Sequence, residues 1–272
     1  MKKVLAVLIL IVFVYLPLYA FADDQEDKST YINNSEVKDW KVDSAITYET
    51  GDFGTGTTVN TVYVPFTLTR YFEMWNLAGT IPFIYQESGP GVTALGGRPF
   101  QTSRRGGPSR SDSGLGDMLL KGTYYVLNEN TQPLNINAVG QIKFPTADDT
   151  KGLGTGEFDE TLGLETSKSL DDYWQFFADF YYTFIGDPAG MDLNNEFAFN
   201  LGAGYKVNPE TTVSLAYQER TAIVDDRPNP RDLVLEVIHK MDEAISFNGN
   251  IDAGLSNGSP DFGITVGMGY LF

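Results

Sequence analysis

The chain of 272 residues contains no cysteine and a single histidine, His239. Without cysteine it has no disulfide, no thiol nucleophile and no Cys-based zinc site. One histidine also excludes a His-rich metal site, and we predict neither a metal nor a cofactor. A surface hydrolase that pairs serine with histidine is disfavoured, because His239 stands alone in an apolar alternation beside the "KMDE" turn, where an interfacial position is expected.

Basic residues are scarce. The chain has 19 Lys and Arg against 36 Asp and Glu, which gives a formal net charge of −17. Phosphate-rich partners bind through clustered positive charge, so this balance disfavours nucleic acid as a partner.

Long apolar runs are scarce as well, and the only one lies at the start, in "MKKVLAVLILIVFVYLPLYAFA". A basic beginning, an apolar stretch and the small residues Ala20 and Ala22 around Phe21 predict a secretory signal peptide over residues 1–22, cleaved after Ala22. An uncleaved anchor is the alternative, which the acidic "DDQED" that follows disfavours. No other stretch approaches the roughly 20 apolar residues of a spanning helix.

What the chain does have is alternation with a period of two residues. Twelve segments of this kind follow one another from Trp40 to Phe272, joined alternately by short turns and by long loops rich in Gly, Pro, Asp and Ser. This pattern is typical of an all-β transmembrane antiparallel β-barrel of about twelve strands, with short periplasmic turns and long extracellular loops. We therefore assign residues 23–39 to a periplasmic N-terminal segment and residues 40–272 to an outer-membrane barrel.

A secreted β-sandwich would show the same alternation. Aromatic residues at the strand ends favour the barrel, because amphipathic rings collect at membrane interfaces. These residues are Trp40, Tyr48, Trp75, Tyr85, Trp174, Phe184, Tyr205 and Phe272.

Four stretches carry a family resemblance: "GLGDMLLKGTYYVL", "QIKFPTADDTKGLGTGEFDETLGLETSKSL", "LGAGYKVNPETTVSLAYQER" and "GLSNGSPDFGITVGMGYLF". They resemble the outer-membrane proteins of Gram-negative bacteria that are grouped as transporters of the phenol-degradation meta pathway, over roughly residues 60–272. The resemblance implies a barrel that carries small, often aromatic, hydrophobic compounds across the outer membrane. It supplies no binding residues that transfer to this chain.

The last strand is also similar to the C-terminal signal that the barrel-assembly machinery reads. That signal has a final aromatic residue and apolar residues at alternate positions before it. The matching residues are Ile264, Val266, Met268, Tyr270 and Phe272.

The other face of the strands is polar, and in a barrel it lines the pore. Its charged members are Lys41, Asp43, Glu49, Asp117, Lys121, Lys143, Glu165, Asp179, Lys206, Arg220, Glu236 and Asp252. Counting outward from the turns predicts that Asp117 faces Lys143 and that Glu165 nearly faces Asp179. We expect these four in one cluster, with Lys143 as the cation for both carboxylates. For these charges, a structural ion network that fills a narrow lumen ranks slightly ahead of a path for substrate.

The longest loop, residues 87–113, holds Arg98, Arg104, Arg105 and Arg110. We expect an outward-facing loop whose guanidinium groups meet anions such as those of lipopolysaccharide. A constriction folded into the lumen and a solvated connector are the alternatives. The acidic stretch "ADDTKGLGTGEFDE" does not have the spacing of an EF-hand, which disfavours calcium binding, and a weak calcium site in this loop stays the open alternative.

The sequence thus predicts a channel or transporter for small, hydrophobic or aromatic organic molecules, and no enzyme. A structural or adhesive barrel with a plugged lumen is the alternative, and a surface lipid hydrolase ranks behind both. The expected partners are outer-membrane lipids and lipopolysaccharide, the assembly machinery and the small-molecule cargo. Axial and lateral exit of the cargo stay open.

Overall fold

A computed structural model describes residues 39–101, 109–188 and 190–272. The predicted signal peptide and nearly all of the predicted N-terminal segment lie outside these residues, as do Arg104 and Arg105.

The fold is all-β, with one short 3₁₀ turn at Asp149–Lys151. The strands are β1 Trp40–Gly51, β2 Val59–Tyr71, β3 Trp75–Ser88, β4 Val92–Leu95, β5 Arg98–Gln101, β6 Arg110–Leu115, β7 Met118–Leu127, β8 Asn135–Phe144, β9 Asp159–Ser169, β10 Trp174–Phe184, β11 Glu196–Asn208, β12 Thr211–Arg220, β13 Arg231–Lys240, β14 Ile245–Gly254 and β15 Phe262–Leu271. Within the described ranges, no helix is both long and apolar enough to cross a bilayer.

The sheet closes on itself. Each long strand pairs antiparallel with its neighbour in sequence, and β1 pairs with β15, so that Ile46 lies opposite Val266. The closure extends to the end of the chain. The Trp40 N–H donates to the Phe272 carbonyl at 3.0 Å, and the Phe272 N–H donates to the Trp40 carbonyl at 2.7 Å. Among the described residues the main sheet has no free edge, which confirms the predicted barrel and explains why the last strand needs no cover.

Strands β6 and β7 lie end to end along β3 and together span the wall once. The barrel wall therefore consists of twelve spanning strands, which we call staves. They are separated by a bulge at Gly116 and Asp117, where the register shifts by one residue between the pairs Phe83↔Leu115 and Thr80↔Leu119. The Gly116 N–H donates to the carbonyl of Pro82 at 2.8 Å.

The irregularity continues into the next two strands. Pro82 lies opposite Pro65 on β2, and neither proline has an N–H to donate. The β1–β2 pairing is interrupted at Ala45 and Ile46, across from Pro65, whose carbonyl accepts the Ser44 hydroxyl at 3.0 Å instead. A row of irregular pairing therefore crosses four adjacent staves.

The two faces of the wall differ in chemistry. The outward face is apolar, and the C-terminal series belongs to it, with Val266 62% and Phe272 49% exposed. The inward face carries small and polar residues. Aromatic side chains lie outward at the rims, and the Arg70 guanidinium stacks 5.1 Å above the ring of Trp40 at the end of β1. This is the arrangement expected of a wall that faces hydrocarbon on its outer side.

The connections alternate as predicted. Short turns occupy one rim, the periplasmic rim, at residues 72–74, 128–134, 170–173, 209–210 and 241–244. Long loops occupy the outer rim, at residues 52–58, 89–109, 145–158, 185–195, 221–230 and 255–261.

Candidate functional site in the barrel lumen

The twelve predicted pore-lining residues occupy the inward alternation of the wall. Lys41 and Asp43 form an ion pair at 3.1 Å near the periplasmic end of β1. Lys206 lies near the exposed C-terminal end of strand β11, at the periplasmic mouth. The other members lie deeper in the lumen or at its outer mouth: Glu49, Asp117, Lys121, Lys143, Glu165, Asp179, Arg220, Glu236 and Asp252.

One ion network centres on Lys143. Its Nζ lies 3.2 Å from Asp117 Oδ2, 3.1 Å from Asp159 Oδ2 and 2.6 Å from the Thr155 hydroxyl. The predicted opposition of Asp117 and Lys143 is wrong by two residues, because Leu119 is the register partner of Lys143. The contact forms diagonally, since the lysine side chain is long and the adjacent bulge turns Asp117 inward.

Asp117 also holds a loop. Its Oδ1 accepts the N–H groups of Thr146 and Ala147, both at 3.0 Å. The side chain is buried, so these bonds and the Lys143 contact together satisfy a carboxylate that would otherwise be costly to bury. Asp117 therefore fixes the start of loop 145–158 against the bulge.

A second network lies lower in the lumen. Asp179 and Glu165 are direct register partners, as predicted. Their cation is Lys121, whose Nζ lies 3.1 Å from Glu165 Oε1, and the Tyr181 hydroxyl donates to the same oxygen at 2.9 Å. The expectation that Lys143 serves both carboxylates is wrong.

Strand geometry explains why the four residues do not form one cluster. Glu165 lies opposite Asn137, which is six residues along β8 from Lys143. At 3.3 Å per residue that separation is about 20 Å along the strand, more than a lysine side chain can span.

The second network belongs to a longer polar row. Inward-facing residues on six neighbouring strands are register partners of one another, in the order Asn137, Glu165, Asp179, Asn200, Gln218 and Asp232. Two buried oxygens in this row, Asn137 Oδ1 and Asp179 Oδ2, accept no hydrogen bond from the described residues. The row is therefore a belt of buried hydrogen-bonding groups on the inner side of the wall.

The outer mouth is narrowed by a hairpin. Strands β4 and β5 pair with each other, and the hairpin folds inward against β3 through Gln86. The Gln86 amide donates to the carbonyls of Gly152 at 2.8 Å and Ala94 at 3.3 Å, and its oxygen accepts the Gly97 N–H at 2.8 Å. This part of the 87–113 loop does not face outward as predicted, because buried hydrogen bonds hold it inside the mouth.

The two arginines of this loop that the structure describes make different contacts. Arg98 reaches across the mouth to Glu196 on β11, with Nη1 at 3.3 Å from Oε2. Beside it, Gln101 Nε2 donates to the carbonyl of Phe53. Arg110 makes an exposed pair with Asp112 at 3.0 Å. The anion that Arg98 meets is thus a carboxylate of the protein itself.

Loop 145–158 fills the space beneath the hairpin. Leu153 is 1% exposed and packs against the inward-facing side chains of Tyr63 and Ile84. The Gly96 N–H of the hairpin turn donates to the Gly152 carbonyl at 2.8 Å. In the same loop the Thr150 hydroxyl donates to Asp148 at 2.6 Å, which lowers the pKa of that carboxyl. The hairpin and this loop together occupy one side of the mouth.

The opposite side of the mouth is open. A small cavity that opens to solvent lies between β5 and the ends of β1, β11 and β12 with their loops. Its charged lining residues are Glu49, Arg98, Glu196, Arg220 and Arg227, and its apolar lining includes Phe100, Ile223 and Val224. This outer cavity lies beside the inward hairpin at the mouth.

Sequence reasoning missed several of these residues. Glu196 and Asp232 each precede a recognised apolar series, at Phe197 and Leu233, and so continue the inward alternation. That signal was present in the sequence. Asp159 and Arg227 flank loops, where alternation gives no information.

Other chemistry has little support in the described residues. Within residues 39–101, 109–188 and 190–272, no group of three or more His, Asp or Glu side chains is arranged to hold a metal ion. His239 lies on the outward face of β13, with Nδ1 at 3.0 Å from the Thr211 hydroxyl.

Residues 39–233 match the family described as "Putative MetA-pathway of phenol degradation". The chain belongs to this family. The match covers most of the barrel, from β1 into β13, and confirms the resemblance seen in the sequence. No curated protein matches the chain.

Solved structures support the fold of this family member. The COG4313 outer membrane channel from Pseudomonas putida F1 is 14% identical, with a TM-score of 0.68 over 91% of this chain and 100% of that one. The NanC porin is 10% identical, with a TM-score of 0.56 over 84% and 98%. The translocator domain of autotransporter NalP from Neisseria meningitidis is 8% identical, with a TM-score of 0.54 over 90% and 92%. At these identities the likeness concerns the fold alone, and channels and a translocator share it.

Proposed function

We propose that the barrel is an outer-membrane channel for small, uncharged or weakly polar organic molecules, aromatic compounds among them, and that it catalyses no reaction. The observation that carries the proposal is the polar row in the lumen. A buried oxygen without a hydrogen bond costs about 1–3 kcal/mol, so a sealed lumen would satisfy Asn137 Oδ1 and Asp179 Oδ2 from the protein. Their lack of protein partners supports a hydrated path that solutes can follow.

The charges of the lumen support cargo of this kind. Acidic and basic side chains alternate around a narrow twelve-stave barrel, as in the Lys143 and Lys121 networks. Mixed signs in a tight pore give weak ion selectivity, with a lean towards cations because acidic residues are in excess. The family description, which concerns phenol degradation, points to small aromatic compounds as candidate cargo.

The remaining sequence predictions belong to the same proposal. We propose that residues 1–22 are a cleaved signal peptide, that residues 23–39 lie in the periplasm, and that the cell is Gram-negative. The alternating apolar series that ends at Phe272 supports recognition by the barrel-assembly machinery. Arg110, exposed at the outer rim, supports contact with lipopolysaccharide.

The test uses the absence of native cysteine. Asn248 faces the lumen on β14, and its neighbour Phe247 faces outward. In planar bilayers, a charged thiol reagent should reduce single-channel current through Asn248→Cys and leave Phe247→Cys unchanged. Flux of phenol into liposomes, corrected for empty liposomes, should fall in the same modified variant.

A second candidate is a structural barrel with a closed lumen, and the inward hairpin favours it. Absence of conductance in the unmodified protein, together with phenol uptake equal to that of empty liposomes, would move the assignment to that candidate.

A further inference from the structure

The polar row lies between two rows of small and apolar residues on the inner face of the wall. On its outer side, the register partners on β8 to β11 are Val139, Gly163, Tyr181 and Ala198. On its periplasmic side, those on β10 to β13 are Phe177, Gly202, Ala216 and Val234. Each of these two rows thus places one aromatic ring directly opposite a glycine on the neighbouring strand.

The ring of Tyr181 occupies the space that a side chain at Gly163 would need. A Cβ atom added to Gly163 would lie 2.7 Å from Tyr181 Cε1, which is closer than Cβ atoms approach other heavy atoms. The Tyr181 hydroxyl also donates to Glu165 Oε1 at 2.9 Å, two residues from Gly163 on β9. The ring therefore rests against the wall, and it does so because Gly163 has no side chain.

Packing on both sides restricts where this ring could move. Val139, on the far side of Gly163, and Ala198, on the far side of Tyr181, are buried and pack in one cluster with the ring. Well-packed side chains leave no space for a sideways shift of this size. A ring displaced from Gly163 would therefore move towards the axis of the barrel.

Phe177 repeats the arrangement on the other side of β10. A Cβ atom added to Gly202 would lie 2.6 Å from Phe177 Cε2, but it would also lie 2.8 Å from the carbonyl oxygen of Leu215. A side chain at Gly202 would thus strain the backbone wherever the ring went. At Gly163 the closest backbone atom is the Phe180 carbonyl oxygen, at 3.1 Å, so Gly163 is the position where a side chain would act mainly on the ring.

We propose that Gly163 and Tyr181 set the width of the lumen beside the polar row, and with it the size limit on the cargo. A twelve-stave barrel is intermediate between small barrels that side chains fill and wide barrels that hold an aqueous channel, so the place of one ring changes its width. Gly163 is a positioning residue that acts through the ring. The inference rests on the proposed channel function and adds the residues that limit cargo size.

Single-channel recordings in planar bilayers test the pair as a double-mutant cycle. Gly163→Ala should lower the conductance about twofold by moving the ring inward, and Tyr181→Ala should raise it about twofold. Tyr181→Phe keeps the ring and should keep the conductance, which separates the ring from its hydroxyl. In the Tyr181→Ala background, Gly163→Ala should have no further effect, because the ring through which it acts is gone. A general loss of stability would not show this dependence.

The matched control is Gly140 on the adjacent strand β8. It lies opposite Leu162 on the outward face, and a Cβ atom added there would meet no atom within 4 Å, so Gly140→Ala should leave the conductance unchanged. Heat-modifiable migration on gels reports folding. If Gly163→Ala does not fold alone, Tyr181→Ala should restore its folding, and the comparison of Tyr181→Ala with Tyr181→Phe still tests the width.

A crystal structure of the Gly163→Ala barrel locates the ring without relying on conductance. A ring that stays against the wall, or a Gly163→Ala effect of equal size without the ring, would overturn the inference and leave the channel function intact. A displaced ring in a barrel that never conducts, whichever variant is tested, would uphold the placement of the ring and remove the channel function.

Discussion

The two rims of the barrel hold their backbone in different ways. At the periplasmic rim, contacts within single turns are local. Asp171 accepts the N–H groups of Tyr173 and Trp174, two and three residues away. At the outer rim the contacts are distant, as in Gln86 with Gly152, 66 residues apart, and Arg98 with Glu196, 98 residues apart. The comparison shows that individual periplasmic turns are shaped by their own residues, whereas the hairpin and loop of the outer mouth are held by residues far away in the sequence.

The largest expected effect compares two aspartates that each accept a pair of backbone N–H groups. Asp117→Ala removes a carboxylate partner of Lys143 and the two hydrogen bonds that fix loop 145–158. It should lower the free energy of unfolding by about 3–5 kcal/mol. Asp171→Ala removes a similar pair of bonds from an exposed turn and should cost about 1 kcal/mol. Urea unfolding in lipid vesicles, followed by tryptophan fluorescence, measures both. Equal costs would contradict the distinction between the rims.

The next effect concerns assembly at the periplasmic rim. Phe272→Ala keeps the backbone bonds to Trp40, so the purified variant should lose little stability. Its level in the outer membrane should nevertheless fall several-fold, because the terminal aromatic is proposed to be read by the assembly machinery. Phe247→Ala, which removes an outward aromatic from the adjacent strand, is the control. Similar levels of the two variants at ordinary expression would contradict the prediction.

A smaller effect is expected from the contact across the mouth. Arg98→Gln and Glu196→Gln should each release the hairpin by removing about 1 kcal/mol, which raises the population with a wider mouth roughly fivefold. Single-channel recordings should show longer or larger openings. The double variant should behave like either single one, because both break the same contact. Arg110→Gln, at an exposed pair, is expected to leave the openings unchanged.

The smallest effect is a pH dependence at the periplasmic rim. Burial raises the pKa of Glu129, but hydrogen bonds from Lys168 and from the N–H of Ser169 outweigh it and leave the pKa below its ordinary value of 4.5. The resulting stability is present above pH 4.5 and is lost as the pH falls through the lowered pKa. It should amount to less than about 1 kcal/mol. Glu129→Gln should lower stability at pH 7 and leave it nearly unchanged at pH 3, and an equal loss at both values would contradict this.

Much of the wall could be predicted because its rule is local. Alternation over each strand separated outward residues such as Val266 from inward ones such as Asp179, and turn residues marked the strand ends. The register of β9 and β10 followed from their short turn, which put Glu165 opposite Asp179.

The mouth could not be predicted in the same way. The hairpin is held inward partly by the hydrogen bond from the Gln86 amide to the Gly152 carbonyl. These two residues are far apart in the sequence, and strand alternation gives no information about such a contact. The turn between β7 and β8 is centred one residue later than the counting assumed, so Lys143 pairs with Leu119 and meets Asp117 diagonally rather than directly. Lysine reach also made Lys121, not Lys143, the partner of Glu165.

The row of irregular pairing through Pro65, Pro82 and Gly116 has a consequence for the local opening of backbone hydrogen bonds in the barrel wall. Amide protons exchange with solvent where backbone hydrogen bonds open, and openings start where the fewest bonds must break. Two residues in this row have no amide proton, and Ala45 and Ile46 beside it lack ladder partners on β2. In a hydrogen-exchange map the first four staves should therefore divide into two separately protected bands, whereas β13 and β14 should exchange as uninterrupted strands.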